Sequence, residues 1–283
     1  MKTISVLDVS LRDGGHRTNF HFEDYELQHI LTALDNSGIE YIEIGYRNGS
    51  LQPIANIGRT GLCQKDYLHF CHPLIKHAKV AVMIYPNNVS HADLLELKEF
   101  GVNLIRICVP KDRLTQASTI LKMAKDLGFE VAINFTNMTH YKELELDQAV
   151  QEAVQYEPNM IYFADSNGSI LPEKIESIYQ KYTQQYSIPF GFHAHDNLGL
   201  AQANALAAIR AGVQYIDTSL AGMGKGIGNL KTEFFIAYLQ AVKMKKYNLE
   251  ELLTASNYIR DAMGIGREPI LLDEFNRGIF DPT

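Results

Sequence analysis

Two histidines two residues apart, His193 and His195, close the apolar run Phe190-Gly191-Phe192-His193-Ala194-His195. Such a run reads as a β-strand, and a strand alternates faces with period 2, so both imidazoles emerge on one side. Neutral imidazole is the commonest nitrogen ligand for divalent metals, which makes the pair half of a metal site, although two histidines that only form hydrogen bonds would look the same. A second segment, Leu11-Arg12-Asp13-Gly14-Gly15-His16, follows another strand-like run and supplies a carboxylate, a cation and a third histidine.

Positioning these groups falls to a regular series of elements. Short β-branched or apolar runs at 4–9, 41–45, 80–84, 104–109, 131–135, 160–163, 190–195 and 215–219 read as strands. Amphipathic stretches near 23–37, 65–77, 91–100, 115–127, 146–156, 172–186, 201–211 and 231–243 read as helices, with apolar residues at 3–4 spacing such as Leu27, Ile30, Leu31 and Leu34. Gly38 and Gly128 mark helix ends, and Pro172 a helix start. Eight such units in series predict a (β/α)₈ TIM barrel over residues 1–243, with 244–283 as a short C-terminal helical extension. A doubly wound open sheet is the competitor, but it expects a Rossmann or P-loop first turn, and residues 11–16 form neither.

A barrel gathers function after the carboxyl ends of its strands. Strand one is followed there by Arg12, Asp13 and His16, while strand two carries Glu43 and leads to Tyr46 and Arg47. Strand five ends in Asn134, strand six in Asp165-Ser166-Asn167, and strand seven in the histidine pair. Strand eight opens into the glycine-rich loop 222–229, with Lys225 and Asn229.

The bulk properties narrow the function classes. A net charge of -7 without a dense Lys/Arg cluster excludes a nucleic-acid footprint, and Lys243, Lys245 and Lys246 read as a solvated helix end. No apolar stretch reaches membrane-spanning length, and Met1-Lys2-Thr3 leads into a strand rather than a signal peptide. Cys63, Cys71 and Cys108 show neither disulfide arithmetic nor CxxC spacing, which points to a reducing cytoplasm.

Leu11-Arg12-Asp13-Gly14, the His193-Ala194-His195 pair and the 222–229 loop together resemble the metal-dependent aldolase, lyase and synthase superfamily on a TIM barrel. Within it, Ala164-Asp165-Ser166-Asn167-Gly168, His193-Ala194-His195-Asp196-Asn197-Leu198 and Ser219-Leu220-Ala221-Gly222-Met223-Gly224 are similar to the 4-hydroxy-2-oxoacid aldolases. His16 falls where those aldolases keep an acid/base histidine. Other branches fit less well. The 222–229 loop lacks the cysteine of the acyl-coenzyme A lyases, Ala164 stands where the biotin-dependent carboxyltransferases need lysine, and the synthases depend on extra domains for which little chain remains.

The resemblance implies that Asp13, His193 and His195 hold a divalent metal. One carboxylate and two imidazoles suit Mn²⁺ first, with Mg²⁺, Co²⁺ or Zn²⁺ as options. A 2-oxo acid would chelate that metal, Arg12 would neutralise the growing enolate charge, and His16 would exchange the proton of the 4-hydroxyl. Asn229 would touch the metal or its water, and Glu43 and Asp8 would stand behind the ligands or brace the barrel interior. Tyr46, Arg47, Asn134, Asp165 and Lys225 are candidate substrate contacts. The bland roles are a capping or Arg12-pairing Asp13 and a non-catalytic His16 in a loop.

Two departures from those aldolases stand out. Glu43-Ile44-Gly45-Tyr46-Arg47-Asn48-Gly49 is unlike their strand-two sequence, which predicts a different acceptor, larger or more charged, with the loop 48–65 forming part of its pocket or a lid. Beyond the barrel only one helix near 249–263 and a tail over 264–283 are expected, so docking to a dehydrogenase is not implied. The apolar segment Pro269-Ile270-Leu271-Leu272 predicts a homodimer. The reading is a cytoplasmic metal-dependent aldolase joining or separating pyruvate and an aldehyde. The runner-up is a Claisen-type enzyme condensing an acyl-coenzyme A with a 2-oxo acid, and the remote alternative is a non-catalytic binding barrel.

Overall fold

The computed structural model describes residues 3–280 apart from Lys245 and Ile270. Met1-Lys2, one lysine of the basic run and one residue of the 269–272 segment therefore lie outside the described residues. Eight strands, β1 (Ser5–Asp8), β2 (Tyr41–Tyr46), β3 (Lys79–Ile84), β4 (Val102–Val109), β5 (Glu130–Phe135), β6 (Met160–Asp165), β7 (Phe190–Ala194) and β8 (Tyr215–Thr218), pair in sequence order. Every pairing is parallel, and β8 pairs with β1 to close the barrel. That closure rules out the open sheet.

Helices α1 (Asp24–Ser37), α2 (Lys65–Cys71), α3 (His91–Glu99), α4 (Leu114–Asp126), α5 (Glu143–Gln155), α6 (Pro172–Gln185), α7 (Ala201–Arg210) and α8 (Thr232–Ala241) wrap the outside. Between strands and helices runs a continuous apolar core, including Ile42, Ile105, Ile133, Ile161, Phe163, Phe192 and Ile216. The largest departure from the sequence pattern is α2, which stops at Cys71 rather than near 77. Pro73 cannot continue a helical hydrogen-bond ladder. The amides of Lys76, His77 and Ala78 instead donate to the Asp35 carboxylate, at 2.8–3.0 Å.

Inside the barrel, period 2 stacks two layers. Leu7, Tyr41, Ala81, Leu104, Ala132, Met160 and Tyr162 fill the floor. Two residues further along β2, β4, β5, β7 and β8 come Glu43, Arg106, Asn134, His193 and Asp217, all buried, which form a polar layer directly beneath the C-terminal mouth. Gly191 faces the floor because a Cβ there would stand 2.4 Å from the Tyr162 ring.

After the barrel, α9 (Leu249–Asp261) docks against it through Glu233 of α8, which accepts from Ser256 Oγ at 3.0 Å and pairs with Arg260. The tail expected over 264–283 contains a further helix, α10 (Leu272–Ile279). Among the described residues no helix is long and apolar enough to cross a membrane.

Candidate active site

The loop after β1 turns sharply over Arg12 and Asp13, whose amides both donate to the Val9 carbonyl. This fold-back places Asp13 across the mouth from β7. His193, on β7, and His195, one residue beyond it, project to the same side as period 2 requires, and their Nε2 atoms stand 3.3 Å apart. Asp13 Oδ2 lies 3.9 Å from His195 Nε2. One potential ligand atom from each of these three buried residues falls within 4.8 Å of the others. Ligands that share one cation occupy this kind of spacing, and a carboxylate with two imidazoles is a donor set that divalent ions accept.

The protonation states also suit a metal. Burial pushes His195 down to about 4, so its ring is neutral at pH 7. Although burial opposes ionisation, the Arg12 guanidinium holds Asp13 well below the usual carboxylate range. His193 Nδ1 faces Asp217 Oδ2 at 3.0 Å, an arrangement that puts the proton on Nδ1 and the lone pair of Nε2 toward the donor cluster. Asn229 Nδ2 donates to Asp13 Oδ2 at 2.8 Å, and its buried Oδ1 has no hydrogen-bond partner. That orphaned acceptor beside the cluster is what a cation or its water shell would satisfy.

Beneath the cluster lies a network only partly foreseen. Arg12 Nε donates to Glu43 Oε2 at 2.7 Å, and its NH1 to Asp13 Oδ1 at 2.8 Å. Arg106 donates to Glu43, Asn134 and Asp217 at 3.0, 2.9 and 2.7 Å, and lies over the Tyr162 ring at 4.3 Å. Burial opposes charge on Arg12, yet Glu43, Asp13 and Asp217 raise its pKa well above the ordinary value. Two permanent guanidiniums thus face three carboxylates, a deficit of one positive charge. A divalent cation carrying a monoanionic ligand would bring this buried layer to neutrality.

Above these groups opens a cleft of about 430 Å³, with Arg12, Asp13, His16, Tyr46, Asn134 and Lys225 in its lining. His16 stands at its rim, 4.9 Å edge-on from Phe20. Desolvation by the surrounding loops, aided by the Arg12 and Lys225 charges, lowers its pKa against the pull of Asp13.

Other sequence candidates fall elsewhere. Arg47, expected to face substrate, is turned away and buried, with Nε on Asp93 at 2.9 Å and NH1 on the Cys63 carbonyl at 2.6 Å. The cause is a break in β2 at Gly45, whose φ of 155° accompanies a register shift that sends Tyr46 into the cleft and Arg47 to the outer side. Asp165, likewise expected at substrate, is fully buried and accepts from the amides of Ser169 and Ile170 at 3.1 and 3.2 Å, so it shapes the loop before α6. Asp8 accepts from Ser10 N and Thr232 Oγ1 at 2.8 and 3.0 Å and ties β1 to α8.

The glycine-rich loop 222–229 is stitched down. Asp196 N donates to Gly228 O, Asn229 N to Gly222 O, and Ile227 N to Asn197 Oδ1. Lys225 stays exposed at its tip, while its amide reaches Asp13 Oδ2 at 3.4 Å.

Asp13, His193 and His195, set over buried guanidiniums at the mouth of a closed parallel barrel, form a candidate divalent-cation site. The 4-hydroxy-2-oxovalerate aldolase of Carboxydothermus hydrogenoformans is 34% identical over 241 residues, 84% of this chain and 71% of that one. The enzyme of the same name from Geobacillus genomosp. 3 is 30% identical over 93% of this chain and 78% of its own. Among solved structures, the N-terminal domain of a candidate aldolase from Bacteroides vulgatus superposes with a TM-score of 0.85 at 28% identity, covering 99% of this chain and 94% of that one. The HMG-CoA lyase of Bacillus subtilis shares the fold, with a TM-score of 0.78 at 17% identity over 99% of each chain. Residues 3–259 match the model of the family described as HMGL-like, and the chain belongs to that family.

Proposed function

We propose that this protein is a divalent-metal-dependent aldolase that cleaves or forms 4-hydroxy-2-oxo acids, with pyruvate as one partner and an aldehyde as the other. The observation that carries this reading is the donor set Asp13, His193 and His195 lying beside Arg12 and below His16 in one cleft. The named activity of the relatives supports it.

Asp13, His193 and His195 would hold the metal, which when bound supplies Lewis-acid polarisation of a 2-oxo group. Mn²⁺ is our first choice for this mixed oxygen and nitrogen set. Asp217 keeps the His193 ring in its tautomer and orientation, and Arg106 holds Asp217. Arg12, anchored by Glu43, presents fixed positive charge where negative charge gathers on the 2-oxo oxygen as the C3–C4 bond breaks. His16, neutral because its pKa is lowered, accepts the proton of the 4-hydroxyl. The electron pair of the broken bond moves toward C2, the aldehyde departs, C3 takes a proton from water to complete pyruvate, and His16 gives its proton back to the solvent. In the condensing direction His16 returns its proton to the new alkoxide. The Claisen-type alternative, in which a deprotonated acyl-coenzyme A would add to the chelated 2-oxo acid, is less favoured because the named activity of the relatives is that of an aldolase.

The test is chelator-sensitive pyruvate release from 4-hydroxy-2-oxo acids by Mn²⁺-loaded protein, read through lactate dehydrogenase. Coenzyme A release from an acyl-coenzyme A and a 2-oxo acid, without pyruvate release, would overturn the proposal. We also propose a cytoplasmic setting, supported by three buried free thiols, Cys63, Cys71 and Cys108. A homodimer, supported by exposed Leu271 and Leu272, is checked by sedimentation at micromolar concentration.

A further inference from the structure

His16 is exposed at the rim of the cleft, and among the described residues its imidazole has no hydrogen-bond partner. His193, by contrast, faces Asp217 at 3.0 Å. A histidine that exchanges a proton must be held within reach of it, whereas a side chain left free at a rim samples several rotamers. What meets the His16 ring is Phe20, edge-on, with centroids 4.9 Å apart and an interplanar angle of 66°.

Phe20 is held there against its own backbone preference. It is 1% exposed, and its φ of 65° lies in the left-handed region, directly after Asn19 at 49°. Asparagine tolerates that conformation, but a bulky aromatic keeps it only where the surroundings fix it. Here they do. The Phe20 amide donates to the Gly15 carbonyl at 2.7 Å, and the Phe20 carbonyl accepts from Thr60 N at 3.4 Å and Thr60 Oγ1 at 3.3 Å. Glycines clear the space around it. An added Cβ would stand 2.4 Å from the Phe20 ring at Gly15, 2.1 Å from its carbonyl oxygen at Gly58 and 3.0 Å from its Cγ at Gly61. Tyr46 packs edge-on to the same ring at 5.9 Å. Asn19 Nδ2 donates to the Ala55 and Asn56 carbonyls at 3.1 and 2.9 Å, which ties the loop after β2 to this turn.

Resting on the aldolase reading, in which His16 exchanges the 4-hydroxyl proton, we infer that Phe20 is a positioning residue for His16. Its ring edge takes the place of the carboxylate or carbonyl that usually orients a histidine, and the left-handed turn at 19–20 brings it there. A hydrocarbon edge orients an imidazole by shape and leaves both ring nitrogens unengaged. One nitrogen is then available to the substrate hydroxyl while the other meets solvent, the route by which the proton leaves.

The test is a double-mutant cycle on the Mn²⁺-loaded full chain, with pyruvate release measured from 4-hydroxy-2-oxo acids bearing a methyl, benzyl or carboxymethyl group at C4. Phe20→Leu keeps apolar bulk and makes the same demand on the backbone, but it lacks the flat edge. It is expected to lower kcat about ten- to a hundredfold, with KM within about twofold and Mn²⁺ affinity at the wild-type value. Phe20→Tyr, which keeps the ring, is expected to retain at least about a third of the wild-type rate. In the His16→Ala background, Phe20→Leu is expected to change kcat by less than about twofold, because a residue that acts through His16 has nothing left to position. Equal losses in both backgrounds, or a loss of Mn²⁺ affinity in Phe20→Leu, would make Phe20 a structural residue and overturn the inference while the aldolase reading stands. If Phe20→Leu does not fold, the wild-type protein decides. Nuclear Overhauser contacts between the His16 ring protons, assigned by their loss in His16→Ala, and the Phe20 ring protons are expected, and their absence overturns the inference. No pyruvate from any of the three compounds overturns the aldolase reading and the inference with it.

Discussion

Arg106 reaches from β4 into the centre of the barrel and commits its guanidinium to Glu43, Asn134 and Asp217, the first and last of which in turn hold Arg12 and His193. It therefore couples the residue that meets developing negative charge to a metal ligand. Removing one partner of a buried ionic cluster costs about 3–5 kcal/mol, because the remaining charges lose their compensation. Arg106→Met is expected to weaken metal binding and to lower kcat/KM by at least about a hundredfold, with Arg106→Lys recovering part of both. Calorimetric titration with Mn²⁺ alongside pyruvate release distinguishes this from a purely structural role, for which metal affinity would stay at the wild-type value in the folded variant. His16 gives a different signature. Its pKa lies below the ordinary 6.5, so the base form dominates at neutral pH and the rate of cleavage falls as pH drops through that lowered value. His16→Ala should lower turnover by about a hundredfold or more, keep metal affinity and lose this acid limb. A retained limb would assign the titration to another group.

At the scale of elements, β1 carries a buried acid at its carboxyl end. Burial pushes Asp8 up to about 7, and the Glu233 charge adds to this against hydrogen bonds from Ser10 and Thr232. The folded state thus binds the proton more tightly than the unfolded chain does. The resulting stability is fully present below about pH 4 and is lost as pH rises through about 7, at up to about 1.4 kcal/mol per pH unit. Asp8→Asn should flatten that part of the stability profile, measured by urea unfolding at pH 5 and pH 8, and parallel profiles for the two proteins would remove Asp8 as the cause. The order of strands and the inward histidines were legible in the sequence because alternation and 3–4 spacing mark each unit independently. Arg106 and Asp217 were not singled out, since each sits alone inside a short apolar run and a lone charge has no local pattern. Their signal was available in a weaker form, as an ionisable residue within a strand that a closed barrel must bury and therefore pair. Arg47 was misplaced for the opposite reason. Alternation fails at Gly45, where an added Cβ would stand 1.8 Å from the Thr60 carbonyl oxygen, and a single glycine does not reveal which way the chain leaves it. The shortened α2 was equally hidden, because the Asp35 carboxylate that takes its amides comes from α1.

Across the whole molecule the donor set joins distant parts of the chain. Asp13 comes from the first turn, His193 and His195 from the end of the seventh strand, and Asn229 from the loop after the eighth, so one ion would tie the start of the barrel to its closing elements. The support extends outward. Glu233 accepts from the Ala221 amide of the glycine loop at 3.2 Å while it holds Ser256 and Arg260 of α9, and Arg17 bonds Gly226 O at 2.9 Å and pairs with Glu268 at 3.0 Å. Metal binding at this junction is therefore expected to stabilise the fold as a unit rather than one loop. With the ion at a hundred times its dissociation constant, the linkage amounts to about 2.7 kcal/mol. For a barrel of this size that is a rise in Tm of roughly 4–5 °C. Calorimetry with Mn²⁺ and with chelator measures the shift, and His193→Ala should abolish it. A Tm that ignores the metal in the wild-type protein would show that Asp13, His193 and His195 do not form a metal site in the folded state, whatever their geometry suggests.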